Sequence, residues 1–185
     1  MKEYKRDYPL FSLCGLNCGL CPRFHTDGPS KCPGCGGNDF HLKHPSCAVI
    51  TCNKKNDNVE FCFQCSKYQC DRYSQKNKKD SFITYKNIER DMSFARVDFN
   101  KYKKELDEKV QILEDMLLNY NDGKKKNFYC CAVNLLSLTD CKEFIFEIKN
   151  NIDPQCLNIK DKMKLIVDLI NKKAEECGVE LKLRK

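Results

Sequence analysis

From residue 99 onward, apolar side chains recur at steps of three and four. Phe99, Tyr102, Leu106, Val110, Leu113, Leu117 and Tyr120 form one stripe, which predicts a helix over about 100–121, stopped by Asn121-Asp122-Gly123. A second helix is expected from Thr139, with Phe144, Ile145 and Ile148 inward, ending before Asp153-Pro154. A third runs from an Asn158 cap, with Asp161 three residues on, to Gly178. Its stripe is Ile159, Met163, Ile166, Val167, Ile170, Ala174 and Cys177. Val179, Leu181 and Leu183 then alternate, the pattern of a short edge strand. The run at 129–138, YCCAVNLLSL, is too apolar to face water and fits a short buried helix or strand.

Before residue 75 the texture changes. Five of the six prolines, six of the eight glycines and all three histidines lie there, with too few apolar residues for a conventional core. The division predicts a cysteine-rich, loop-rich domain at 10–75, a polar connector at 76–98 and a helical domain at 99–185. A small domain of this kind needs a staple, either metal or disulfide. If the staple is metal, ligation is part of the folding free energy, and removing the metal should unfold this part.

The cysteines decide which staple is expected. Ten of fifteen fall in the first seventy residues: Cys14, Cys18, Cys21, Cys32, Cys35, Cys47, Cys52, Cys62, Cys65 and Cys70. Cys18/Cys21, Cys32/Cys35 and Cys62/Cys65 each have two residues between them, a gap that lets two thiolates of one tight turn reach one ion. Cys32-Pro33-Gly34-Cys35-Gly36-Gly37 reads as a zinc knuckle, with proline fixing the turn and glycine tolerating positive φ after the second thiol. Cys18/Cys21 with Cys32/Cys35 would make one four-thiolate site. Cys62/Cys65 would draw on Cys47 and on His44, whose spacing from Cys47 matches that of the cysteine pairs. Cys14, Cys52 and Cys70 remain to substitute for any of these or to share a third ion. The expectation is thus two or three zinc ions. Cys130, Cys131, Cys141, Cys156 and Cys177 lie on or near helical apolar stripes without paired spacing and read as small core residues.

An iron–sulfur cluster is the alternative cofactor. Cys14-x3-Cys18-x2-Cys21 has the spacing of radical S-adenosylmethionine enzymes, but no alternating strand–helix pattern follows it. Only Cys18, Cys21 and Pro22 match a ferredoxin-like run. A zinc deaminase signature is missing, and Glu60 beside Cys62 reads as surface charge rather than a general base, so no catalytic residue is assigned. The N-terminus lacks the long apolar core of a secretory signal, and no run is long enough to cross a bilayer. The expected address is cytoplasmic, with no membrane partner. Reducing conditions there disfavour disulfides, and an odd cysteine count forbids complete pairing.

The formal charge of +7 treats every cysteine as a neutral thiol. Eight thiolates around two zinc ions would bring it to about +3, which weakens any general argument for nucleic acid. A local one stays: Tyr68, Arg72, Tyr73, Lys76, Lys78, Lys79, Tyr85 and Lys86 interleave rings and cations, as single-strand RNA or DNA binding requires. The leading expectation is a zinc-stapled interaction module for a protein partner. Nucleic-acid binding and a thiol or iron–sulfur redox role are the alternatives.

Four ordered motifs carry a family resemblance. CGLNCGLC at 14–21, CPGC at 32–35, CAVITC at 47–52 and VEFCFQCSKYQC at 59–70 resemble a cysteine-rich prokaryotic family known as domain of unknown function 3795. Its members show CGLxCxxC, CxGC, CxxCxIRxC and VxxCxxCxxYPC in that order. His44 stands where the family often has a cysteine. The family's IRxC is VITC here, and its YPC is YQC. The resemblance implies metal binding, zinc in particular, and no activity.

Overall fold

The structure, a computed structural model, describes residues 3–71, 79–151 and 157–185. The chain divides into two compact units, residues 1–106 with 183–185, and 107–182.

The first unit opens with a segment that alternates: Tyr4, Arg6 and Tyr8 are buried while Glu3, Lys5 and Asp7 are exposed. A single 3-10 turn, Cys18–Leu20, follows the Cys14 loop. Two short helices come next, α1 (Phe40–Lys43) and α2 (Ala48–Lys55), then a second 3-10 turn, Cys62–Gln64. The helix α3 (Ile88–Val97) lies within the stretch expected as connector. Its signal is Ile88, Met92 and Ala95, which bury one face at helical spacing. The next helix, α4 (Phe99–Asn119), supplies its first two turns to this unit.

The loop-rich segment does not rely on its own apolar residues. Phe11 is fully buried, with ring centroids 4.7 Å from Tyr102 and 5.5 Å from Phe61, and Phe61 lies 4.7 Å from Phe99. Aromatic pairs at these separations contribute about 0.5–1.5 kcal/mol each beyond area burial. Two of the four rings come from α4, so residues beyond 75 complete the core that the first seventy lack. Gly15 is needed for this closeness. Its φ is +91°, and a Cβ there would stand 2.5 Å from Cγ of Met92 on α3.

The second unit holds the rest of α4 and the helices α5 (Lys126–Leu135), α6 (Leu138–Asn151) and α7 (Ile159–Glu176). The expected α4 stripe is buried at Tyr102, Leu106, Val110, Leu113 and Tyr120, and Met116 joins it, fully buried, where Leu117 was expected to lead. Asn121 accepts from the N–H groups of Gly123 and Lys125, and Gly123 has φ +91°, so the Asn-Asp-Gly stop forms as expected. The apolar run at 129–138 is mostly α5, with Tyr129, Cys130, Ala132 and Val133 buried. Lys109, itself buried, donates 2.6 Å to the Leu136 carbonyl, a cation on the negative end of α5. Helix α7 begins at the expected cap: Asn158 accepts from the N–H groups of Lys160 and Asp161. It packs against α6, with an ion pair from Lys173 to Glu143 at 2.9 Å.

The expected terminal strand is not formed, and no strand occurs among the described residues. Val179, Leu181 and Leu183 alternate, but a strand needs a ladder of main-chain partners. The tail has a single clasp instead. Asp80 accepts from the Arg184 backbone N–H at 2.7 Å, and its own N–H donates to the Arg184 carbonyl at 2.9 Å.

Candidate metal centre

The thiols sort into groups by how the loops fold back. The Cys14 turn, the Cys18–Leu20 turn and the Cys32–Gly37 knuckle meet near the start of the chain. Ser12 Oγ lies 3.2 Å from the Cys14 sulfur, and Cys35 sits in a cluster with Tyr4, Leu13, Phe40 and Ile50 against which Cys18, Cys47 and Cys62 pack. The knuckle is held by contacts to the opening segment. The Cys35 N–H donates to the Pro9 carbonyl at 3.0 Å and the Arg6 N–H to the Gly36 carbonyl at 3.1 Å. Gly36 has φ +78°, and a Cβ there would meet Arg6 Cγ at 2.7 Å. The positive φ expected of the knuckle glycine is therefore present, and it also admits Arg6.

Burial and neighbouring thiols shift the ionisation of several of these sulfurs. Burial pushes the Cys18 thiol well up, and Cys35, Cys14 and Cys21 add to the rise. Burial pushes Cys35 up to about 11, with Cys14 raising it further and Arg6 pulling it down. Burial raises Cys21 as well, and Cys32 contributes. Backbone N–H groups point at these sulfurs: Cys35 at Cys18, Leu13 at Cys35, and Arg23 and Phe24 at Cys21. Sulfurs that disfavour each other's ionisation while amides aim at them form a donor set suited to a cation.

The second group lies across α2. Cys52, Cys62, Cys65 and Cys70 all line one cavity of about 30 Å³, together with Val49, Asn53, Asn56, Lys67 and Tyr68. Its frame is braced by hydrogen bonds. Asn53 and Val59 exchange two at 2.9 Å each, and Ser66 gives Asp57 two, at 2.7 and 3.0 Å. The Asn56 amide lies 3.5 Å from the Cys52 sulfur.

Cys47 precedes α2 and touches the Cys35 cluster. His44 is turned elsewhere: its ring stacks on Phe40 at 4.6 Å, and Nδ1 is 2.8 Å from the Pro45 carbonyl. Among the described residues, no three His, Cys, Asp or Glu side chains stand close enough to enclose a cation as they are oriented. A tetrahedral thiolate site for zinc fits both groups by donor chemistry.

Glu60, the one carboxylate beside the thiol motifs considered for acid–base work, is occupied. It pairs with Arg6 at 3.0 Å, and burial pushes its carboxyl up against that pull. Arg6 also donates 2.7 Å bonds to the carbonyls of Phe11 and Glu60 and lies 4.9 Å over the Phe61 ring. Sequence reasoning passed over Arg6, which lies outside every cysteine motif. The signal was the alternation at 4, 6 and 8. Of the aromatic and basic interleave, Arg72, Tyr73, Lys76 and Lys78 lie outside the described residues, as does Cys156. No helix among the described residues is long and apolar enough to cross a membrane.

No curated protein and no solved structure matches the chain. A family model does match residues 10–75, the span that carries all ten clustered cysteines. That segment is similar to the family described as protein of unknown function (DUF3795).

Proposed function

We propose that the cysteine-rich segment binds zinc through its thiolates and that the stapled segment serves as an interaction module for a protein partner. The observation that carries this reading is the sorting of nine thiols into two spatial groups: Cys14, Cys18, Cys21, Cys32 and Cys35 in one, and Cys52, Cys62, Cys65 and Cys70 in the other. When bound, zinc would supply charge neutralisation and a fixed tetrahedral geometry to loops that have little regular structure. The chain's own residues would prepare the site: backbone amides face the sulfurs, and Arg6 offsets negative charge at Cys35. A binding role rather than catalysis is supported by the pairing of Glu60 with Arg6, which leaves that carboxylate engaged.

The test is elemental analysis with an absorption spectrum on protein purified without oxygen. Two or three equivalents of zinc and a spectrum without visible bands are expected. Stoichiometric iron with a visible chromophore would replace zinc by a cluster, and a metal-free, folded, fully reduced protein would end the metal reading.

A further inference from the structure

We infer that Cys52, Cys62, Cys65 and Cys70 form a self-contained site for one thiophilic cation that exchanges with solvent, while the thiols around Cys18 and Cys35 retain theirs. The inference rests on the metal-binding reading above and adds which thiols act together and how freely they trade their ion.

Three observations carry it. The first is size and lining. The cavity of about 30 Å³ has four sulfurs in its wall. That space admits a guest the size of an ion. Thiolates select soft or borderline cations, zinc and copper(I) among them.

The second is that hydrogen bonds of the protein brace the frame. Asn53 ties the end of α2 to Val59, Asp57 holds Ser66, and the Cys62 N–H donates 2.9 Å to the Leu13 carbonyl. These bonds hold the Cys52 helix and the Cys62–Cys65 turn beside each other. A site whose walls are held by hydrogen bonds can release and rebind its ion. One whose metal is the only brace loses its shape on release.

The third is access. Asn56 and Lys67 are exposed and form part of the cavity wall. Lys67 Nζ donates to Asn56 Oδ1 at 3.2 Å, and the Asn56 amide in turn faces the Cys52 sulfur. This chain sets a cation at the mouth of the cavity. Cys35, by contrast, is buried in the apolar cluster with Tyr4, Leu13, Phe40 and Ile50.

The test uses the full chain, purified without oxygen and loaded with zinc. Excess chelator is added, and zinc release is followed with a colorimetric indicator. Thiol alkylation is read site by site by mass spectrometry during the same time course. Two phases are expected. The fast one should release one equivalent and expose Cys52, Cys62, Cys65 and Cys70 together, and Cys18 and Cys35 should stay protected until the slow one. C52S and C70S should each bind one equivalent less and lack the fast phase. A single phase that exposes both groups at once would overturn the inference and leave zinc binding standing, as would C52S and C70S variants with full content and an intact fast phase. If loaded protein retains no zinc, the underlying reading fails as well. Should either variant not fold, the alkylation order in the unmodified chain decides alone.

Discussion

The phenol of Tyr102 donates a 2.5 Å hydrogen bond to Oδ1 of Asn17, an asparagine that lies between Cys14 and Cys18. The Asn17 amide donates in turn to Asp91 at 2.8 Å, and all three residues are buried. The first cysteine loop is thus fixed by a polar chain that ends on two helices outside the cysteine-rich segment.

Tyr102→Phe keeps the ring contact with Phe11 and removes the donor. Loss of that hydrogen bond to buried Asn17 should cost about 0.5–1.5 kcal/mol. Urea denaturation should show the loss. Metal affinity should fall as well if Asn17 orients the loop, and Tyr102→Phe at unchanged stability would dismiss the network as incidental.

Arg6 and Glu60 should act in opposite directions on the thiol cluster. Arg6 lowers the Cys35 thiol, and Glu60 partly neutralises Arg6. Arg6→Met removes the charge that offsets thiolates and should weaken zinc binding by roughly 10–100-fold, the usual scale for an outer-shell partner. Glu60→Gln frees that charge and should tighten binding. If the pair is only a structural link, both variants weaken binding alike in a chelator competition.

Metal-loaded and metal-free protein should respond to pH with opposite sign. In the metal-free chain, burial pushes Cys35 to about 11, above its value near 8.5 in an unfolded chain. A thiol raised in this way contributes full stability below the unfolded value and loses it as pH climbs through the folded one. The metal-free protein should therefore weaken between about pH 9 and 11, by roughly 2–3 kcal/mol from this group. In the loaded protein, protons compete with the ion for sulfur, so stability should fall on acidification instead. Chemical denaturation of both forms at several pH values would reveal parallel curves if the thiols do not bind metal.

Asp80 should govern the tail. Burial tends to raise its carboxyl, but hydrogen bonds from the Arg184 side chain and from the N–H groups of Tyr85 and Arg184 outweigh that and hold it below the ordinary 3.8. A depressed acid contributes stability above its unfolded value and loses it as pH falls through the folded one. Asp80→Asn should cost about 1.5–3 kcal/mol at neutral pH. It should also flatten the acid limb below about pH 4. Hydrogen exchange at Arg184 would report the clasp, and equal protection in the variant would refute it.

The helical half was legible because its information is periodic. Stripes such as Leu106, Val110 and Leu113, and caps such as Asn158, act within a few residues of themselves. The tail misled because alternation at Val179, Leu181 and Leu183 states a preference for extension, while a ladder depends on whether another segment is at hand. The grouping of thiols depends on tertiary distance. Cys52 and Cys70 carry no spacing signal, yet both line one cavity with Cys62 and Cys65. His44 has the right spacing and a different occupation, since stacking on Phe40 claims its ring.

The inward march of Tyr4, Arg6 and Tyr8 bears on how this module is to be isolated. A piece trimmed to the homology limits, 10–75, would shed those three residues and also Met92, Phe99 and Tyr102. Its knuckle would lose the Arg6 stem that packs against Gly36, and Phe11 would face water. Such a piece should precipitate or remain unstructured even with zinc supplied, whereas one running from residue 3 through α4 should yield dispersed amide resonances. The evolutionary unit and the foldable unit of this polypeptide are different lengths.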